Sequence, residues 1–153
     1  MTPKSRGVSN GYRSGLEEKI VSELEARGIE AAFESLKIPF RQPAKDRTYT
    51  PDFPLPNGIV IESKGRFMTD DRQKHKWLKE QHPELDIRFV FSNSKNKLSK
   101  GSPTSYAMWC EQWGFLYADK SIPDEWLNEP PCQKRIAALQ RVAIPKKKKS
   151  PTT

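Results

Sequence analysis

One stretch of the sequence decides the fold: Thr48-Tyr49-Thr50-Pro51-Asp52-Phe53-Pro54-Leu55-Pro56-Asn57-Gly58-Ile59-Val60-Ile61-Glu62-Ser63-Lys64. Its centre, Leu55 to Ile59, fits a three-residue hairpin loop, because proline suits the second position of a type I turn and Gly58 can adopt the left-handed backbone that closes the bulge. The residues on either side are rich in β-branched types that favour extended chain. Pro54 cannot donate a ladder hydrogen bond, so its strand is expected at an edge or a bulge.

The loop length fixes the register of this hairpin. If Leu55 pairs with Ile59, Asp52 lies directly opposite Glu62. Side chains alternate between the faces of a strand, so Glu62 and Lys64 share a face with Asp52. The other face carries Ile59, Ile61 and Ser63. The pattern therefore predicts two carboxylates and one ammonium on one side of the sheet.

These side chains match the needs of phosphodiester hydrolysis. Carboxylates can fix one or two Mg²⁺ ions, which activate water and neutralise charge at phosphorus, and Mn²⁺ is expected to substitute. We expect Asp52, Glu62 and the Ser63 carbonyl to hold metal, with Lys64 orienting the attacking water or balancing charge. The alternative is that these common residues simply line a solvated strand face.

Composition favours a nucleic-acid partner. The 153 residues carry a net charge of +8 and a pI of about 9.5, which favours a polyanion. No apolar run approaches the ~20 residues that span a bilayer, and residues 1–10 lack the apolar core of a secretion signal. The two cysteines form no disulfide or zinc pattern. We expect a cytoplasmic protein with no membrane contact and no nucleotide cofactor.

The rest of the chain predicts a mixed α/β domain. The expected elements are a helix from Ser14 to Gly28, a strand within residues 29–40, a linker over 41–46, a helix from Thr69 to before Pro83, a strand at 86–91, a helix from Ser102-Pro103 to Gly114, a strand at 115–118, a helical turn at 123–127 and a short basic helix at 133–142. Residues 1–11 are expected to form a flexible basic arm, and residues 131–153 a basic tail. Ser14 and Glu17 also fit a capping box, which is a structural alternative for Glu17.

Basic residues outside the hairpin are candidate phosphate contacts. Lys95, Lys97 and Lys100 lie in a polar loop with Ser92 and Asn93, while Arg13 precedes the first helix and Lys74 lies on the second. His75 and His82 are poor metal candidates, and we expect solvated or phosphate-contacting roles for them.

Several longer motifs carry a family resemblance. They are Tyr12-Arg13-Ser14-Gly15-Leu16-Glu17, Thr48-Tyr49-Thr50-Pro51-Asp52-Phe53, Leu55-Pro56-Asn57-Gly58, Gln81-His82-Pro83-Glu84-Leu85-Asp86-Ile87-Arg88 and Lys100-Gly101-Ser102-Pro103-Thr104-Ser105-Tyr106. Over residues 12–130 the chain resembles the phage endonuclease I family, within the PD-(D/E)xK nucleases. That family resolves four-way (Holliday) DNA junctions.

The resemblance implies a PD-(D/E)xK nuclease-like mixed sheet flanked by helices, in an intertwined, segment-exchanged homodimer. It implies composite active sites, with Glu17 from one subunit and Asp52, Glu62 and Lys64 from the other, and Glu17 supporting a second metal. Residues 41–50 would bridge the two parts of the nuclease domain. The implied activity is Mg²⁺-dependent cleavage of branched double-stranded DNA by paired nicks, in the host-cell cytoplasm.

One departure from the family pattern concerns a further carboxylate after the first helix. Ala32 occupies the matching position, with Glu30 and Glu34 expected on its face of a strand. Two other functions stay open: a sequence-specific or general PD-(D/E)xK nuclease, and a non-catalytic basic DNA-binding protein.

Overall fold

A computed structural model describes residues 15–42 and 45–145 of the chain. Its elements are α1 (Gly15–Ala26), β1 (Leu36–Gln42), β2 (Lys45–Tyr49), β3 (Phe53–Pro54), β4 (Ile59–Lys64), α2 (Thr69–Gln81), β5 (Asp86–Phe91), α3 (Tyr106–Trp113), β6 (Tyr117–Asp119), α4 (Asp124–Leu127), α5 (Gln133–Val142) and β7 (Ile144–Pro145). This mixed α/β architecture confirms the predicted fold class. The basic arm, Arg13, the Ser14 cap and residues 146–153 lie outside the described residues.

The strands form two sheets, where the sequence predicted one. A four-stranded mixed sheet has the order β3-β4-β5-β6, with β3 antiparallel to β4 and the other pairs parallel. A three-stranded antiparallel sheet has the order β2-β1-β7. The carboxyl ends of β4, β5 and β6 therefore meet at one edge of the mixed sheet, which is where ligands bind in open sheets of parallel strands.

The predicted hairpin register is confirmed. Phe53 pairs with Ile61, and Pro54 with Val60. The Leu55 N–H donates to the Ile59 carbonyl at 2.7 Å, and Gly58 has a φ of +96°. Only the short β3 is regular strand before the loop, as expected for proline at a sheet edge.

Two apolar cores cover the faces of the mixed sheet. Ile59 and Ile61 pack with Ile20 and Leu24 of α1. Val60 belongs to the other core, which contains β1, α2 and α3 side chains. This alternation confirms the predicted faces of β4 and leaves Glu62 on the side of α2.

The predictions for residues 29–46 are partly wrong. Residues 29–35 form no strand, and Glu34 has a positive φ of 48°. Strand β1 instead continues through Pro39 to Gln42 and pairs with β2, so the expected linker over 41–46 is largely strand. Proline is tolerated inside β1 because β7 pairs only with Leu36 and Lys37, which leaves one side of the strand as an edge.

The helices α2 and α4 confirm their predicted positions, whereas α3 begins later than expected. Its N-cap is Ser105, whose hydroxyl accepts from the Met108 N–H at 3.1 Å. The Ser102-Pro103 pair belongs to the preceding loop, where the Tyr106 N–H donates to the Asn96 carbonyl at 2.8 Å. In the ranges that the structure describes, no helix is long and apolar enough to cross a membrane.

Helix α5 packs onto the domain, although the sequence assigned it to the tail. Ala138 and Leu139 are buried, and Leu139 belongs to the core that also contains Val60. Arg135 and Ile136 lie against the hairpin loop at Gly58. The part of the expected tail up to Pro145 is therefore integrated into the fold.

Candidate active site

The end of β4 carries a buried carboxylate with both of its oxygens engaged. Glu62 is only 2% exposed. Its Oε1 accepts a hydrogen bond of 2.6 Å from the Tyr49 hydroxyl, and its Oε2 lies 3.2 Å from the Lys64 Nζ. Glu62 and Lys64 are two residues apart on one strand face, as predicted.

Asp52 is completely buried and bound to the neighbouring strand. Its Oδ2 accepts from the Ser63 N–H at 2.9 Å and from the Ser63 hydroxyl at 2.7 Å. Burial raises the pKa of the Tyr49 phenol well above its usual value, and the charges of Glu62, Asp52 and Asp71 raise it further. Both predicted metal ligands therefore act on the same phenol, which indicates that their charges converge on one region.

Asp71 joins this region from the first turn of α2, although sequence reasoning assigned it only to a helix start. Lys64 Nζ lies 3.1 Å from Asp71 Oδ1. Burial lowers the pKa of Lys64, but the charges of Glu62 and Asp71 outweigh this effect and leave the pKa raised. Burial raises the pKa of Asp71, but Lys64 outweighs it in turn and the pKa is lowered. Lys64 and Asp71 therefore both stay charged near neutral pH.

The donor set fits a hard divalent cation. The cluster has three carboxylates, Asp52, Glu62 and Asp71, for the two half-buried ammonium groups of Lys64 and Lys74, so it has an excess of negative charge. Among residues 15–42 and 45–145, no three His, Cys, Asp or Glu side chains are arranged to hold an ion by themselves. Mg²⁺ needs only one or two carboxylates because it retains several waters, so this arrangement suits it.

Glu17 lies in the first turn of α1 and is also buried. It shares the inward side of that helix with Ile20 and Leu24, which pack on the sheet face of Ile61. Within the single chain, α1 thus covers β4 on the face opposite Glu62. The segment between α1 and β3 also brings Glu34 near the site, because the Glu34 N–H donates to the Asp52 carbonyl at 2.9 Å. Glu30, Ala32 and Glu34 lie between α1 and β1, where the chain forms no strand, so the expected common strand face for the three residues is wrong.

The polar lysine loop lies at the same sheet edge as Lys64. The Ser92 N–H donates to the Lys64 carbonyl at 3.1 Å, and β5 ends beside Lys64. Ser94 fixes the loop to β6 through two hydrogen bonds to the Asp119 carboxylate, of 2.6 and 2.8 Å. The loop displays the exposed candidates Lys95, Lys97 and Lys100. Its lysines are therefore held by an ordered loop at the carboxyl edge of the sheet.

Lys74, which the sequence predicts as a phosphate contact, borders the acidic cluster. Its Nζ lies 4.0 Å from Asp71 Oδ1 and 5.4 Å from the centre of the Tyr49 ring. Burial lowers the pKa of Lys74. Lys74 therefore lies on α2 beside the carboxylate of Asp71.

The expectation of a solvated His75 is wrong. The ring is completely buried, and its Nδ1 lies 2.9 Å from the Asp71 carbonyl oxygen. Burial lowers the pKa of His75 to about 3, so the imidazole is neutral. His82 is partly buried, and its Nε2 lies 2.5 Å from the Pro39 carbonyl. Each ring has a structural contact that the charged sequence around it did not indicate.

The chain matches the family model described as "Phage endonuclease I" over residues 1–149. It belongs to the phage endonuclease I family. The chain is 54% identical over 130 residues to Endonuclease I of Escherichia phage T7, covering 85% of this chain and 87% of that protein. It is 57% identical over 119 residues to Endodeoxyribonuclease 1 of Enterobacteria phage T3, covering 78% of each.

Membership of the phage endonuclease I family confirms the enzyme class predicted from the sequence, an endonuclease that hydrolyses DNA. The family match also extends beyond the range that the motifs covered. It includes α5 and β7, which is consistent with their packing against the hairpin and β1.

Proposed function

We propose that this chain is a Mg²⁺-dependent, structure-selective endonuclease of the PD-(D/E)xK type that resolves four-way DNA junctions and other branched DNA. The proposal is supported by the Lys64 Nζ, which lies 3.2 Å from Glu62 Oε2, and by the buried Asp52, which binds Ser63 between those two residues. The lysine loop at the same sheet edge as Lys64 supplies cations for a phosphate backbone. We expect the enzyme to act in the cytoplasm of the host cell.

Each residue of the cluster has a distinct role in this proposal. Asp52, Glu62 and the Ser63 carbonyl would hold Mg²⁺ or Mn²⁺, and Glu17 would support a second ion. When bound, the metal lowers the pKa of a coordinated water and neutralises charge on the scissile phosphate. Lys64 keeps its charge between Glu62 and Asp71 and balances the negative charge of the phosphate.

The substrate contacts follow from the placement of the lysines. Lys74 borders the acidic cluster, and Lys95, Lys97 and Lys100 extend from the sheet edge. No motif that reads bases is visible, which favours recognition of backbone shape over sequence. Arg13 is a further proposed contact outside the described residues.

We further propose that the enzyme acts as a homodimer with exchanged segments. Paired nicks in a four-way junction need two active sites at a fixed separation, and a two-fold dimer provides them. Residues 41–50 would bridge the two parts of each chain, and α1 would then place Glu17 on the β4 strand of the partner subunit.

The test compares cleavage of a labelled four-way junction and a linear duplex of equal length, each with Mg²⁺ and with EDTA. We expect Mg²⁺-dependent paired nicks in the junction and slow cleavage of the duplex. The variant Glu62→Gln should abolish cleavage while it still binds the junction in EDTA, because a buried ligand charge near the phosphate is removed.

The matched control is Asp46→Asn, which neutralises an exposed acid that lies 3.2 Å from the exposed Arg41. It should cleave at the wild-type rate. Equal rates on both DNAs would indicate a general nuclease, and cleavage at one short motif would indicate a sequence-specific nuclease. Binding of both DNAs without cleavage would leave only a non-catalytic DNA-binding protein.

A further inference from the structure

Glu62 needs a fixed orientation if it is to hold a metal ion, and its own side chain does not provide one. The last torsion of a glutamate is broad and roughly two-fold, so a carboxylate with one partner can turn. Here two different donors hold the two oxygens: Lys64 at Oε2 and the Tyr49 hydroxyl at Oε1. Lys64 is shared with Asp71, whereas the Tyr49 hydroxyl donates its single proton to Glu62 over 2.6 Å.

Tyr49 is well suited to hold this orientation because its own position is fixed. It is 1% exposed and lies at the end of β2, paired with Ile38. The edge of the His75 ring packs against it with centroids 5.0 Å apart. Because the packed ring of a buried tyrosine is rigid, the position of its hydroxyl group is fixed as well.

We propose that Tyr49 is a positioning residue that sets the carboxylate of Glu62 for metal binding and catalysis. The inference rests on the proposed function, because it concerns the metal ligand of that site. Groups that orient metal ligands typically change metal affinity or activity by about 10–100-fold when they are removed. Tyr49 also belongs to the three-stranded sheet, so the active site is built from both sheets of the domain.

The test replaces Tyr49 by phenylalanine and measures Mn²⁺ binding by calorimetry without DNA, together with junction cleavage. We expect Tyr49→Phe to weaken Mn²⁺ binding by about 10–100-fold and to lower kcat by a similar factor. KM and junction affinity in EDTA should stay at the wild-type values, because the Tyr49 hydroxyl is buried and donates to Glu62.

The control is Tyr106→Phe, which also removes a buried tyrosine hydroxyl. The Tyr106 hydroxyl accepts a bond of 3.2 Å from the Phe67 N–H and does not contact Glu62. It should lower the melting temperature without changing Mn²⁺ affinity or kcat. If Tyr49→Phe changed the melting temperature alone, the hydroxyl would be merely structural and the proposal would be wrong.

A second pair of variants keeps the size of the ring constant and guards against misfolding. Incorporation of 4-aminophenylalanine at position 49 retains a donor and should restore Mn²⁺ affinity, whereas 4-fluorophenylalanine should not. Equal affinities for these two variants would overturn the proposal. Because metal binding is measured without DNA, a wild-type protein that binds Mn²⁺ but cleaves no junction would count against the proposed function and not against this role of Tyr49.

Discussion

Ser63 donates two hydrogen bonds to one oxygen of Asp52, from its backbone N–H at 2.9 Å and from its hydroxyl at 2.7 Å. Asp52 directly precedes β3, Ser63 lies on the adjacent strand β4, and both residues are buried. The backbone bond depends only on the register of the hairpin, while the hydroxyl bond depends on the side chain. The Ser63 N–H would therefore hold Asp52 whatever the side chain at position 63, whereas the second bond needs the serine hydroxyl.

The variant Ser63→Ala tests the second contribution. It leaves the backbone bond and removes the hydroxyl, so we expect a loss of about 1–2 kcal/mol in the free energy of unfolding. Cleavage of junctions by the folded protein should fall about 10-fold, because Asp52 would be held less firmly. Ser105→Ala, which removes an N-cap, should cost about 1 kcal/mol without a loss of cleavage. Equal cleavage rates for the two variants would show that the Ser63 hydroxyl does not orient Asp52.

The buried His75 predicts a pH dependence of stability. Because its pKa in the folded state, about 3, is below the unfolded value of 6.5, the unfolded state binds more protons. The contribution of the neutral ring is fully present above pH 6.5 and is lost as the pH falls towards 3. Between pH 7 and pH 5 we expect a loss of about 2 kcal/mol.

Chemical denaturation at pH 7 and pH 5 measures this loss. His75→Phe, which keeps an aromatic ring among Tyr49, Phe89 and Phe115, should reduce the difference between the two pH values by about 2 kcal/mol. Parallel stability curves for wild type and variant would contradict the assignment of this loss to His75.

Gly58 predicts a large difference between two glycine substitutions. A Cβ at Gly58 would lie 2.8 Å from the Arg135 Cβ and 3.1 Å from the Ile136 backbone nitrogen, at a φ of +96°. Gly101 has a similar φ of +84° with no atom within 4 Å of an added Cβ. Gly101→Ala should cost only the backbone strain, about 1–2 kcal/mol. Gly58→Ala should cost a further ~1–3 kcal/mol because helix α5 must shift. Equal midpoints in urea would rule out tight packing of α5 on the loop.

Composite active sites predict rescue between inactive variants. Glu17→Ala and Asp52→Ala should each abolish cleavage alone. When they are unfolded and refolded together, a segment-exchanged heterodimer has one site with both residues intact, so we expect single nicks in a junction. If instead each site is built from one chain, as in the contacts of α1 with its own β4, tagged heterodimers would remain inactive.

The hairpin could be predicted because its information is local. Pro56 and Gly58 define the loop, and the loop sets the register that pairs Phe53 with Ile61. Tyr49 and Asp71 could not be found in this way. Each reaches Glu62 or Lys64 through the packing of another element against β4, and nothing in their local spacing marks that contact.

Proline and charge were misleading elsewhere in the chain. Pro39 predicted the end of a strand, but edge geometry allows β1 to continue through it. The charged residues around His75 suggested solvent, yet that ring points into the core from the inward face of α2. Both errors concern positions whose environment is set by elements distant in sequence.

The short connection between the two sheets has a mechanical consequence. Tyr49 is the last residue of β2 in the three-stranded sheet, and Asp52 directly precedes β3 in the mixed sheet. At most about 10 Å of chain therefore joins these two residues. A displacement of the three-stranded sheet would pull on the Asp52 backbone and would also withdraw the Tyr49 hydroxyl from Glu62. The two acids are thus tied to the three-stranded sheet by different routes, Asp52 through the chain and Glu62 through the Tyr49 hydroxyl.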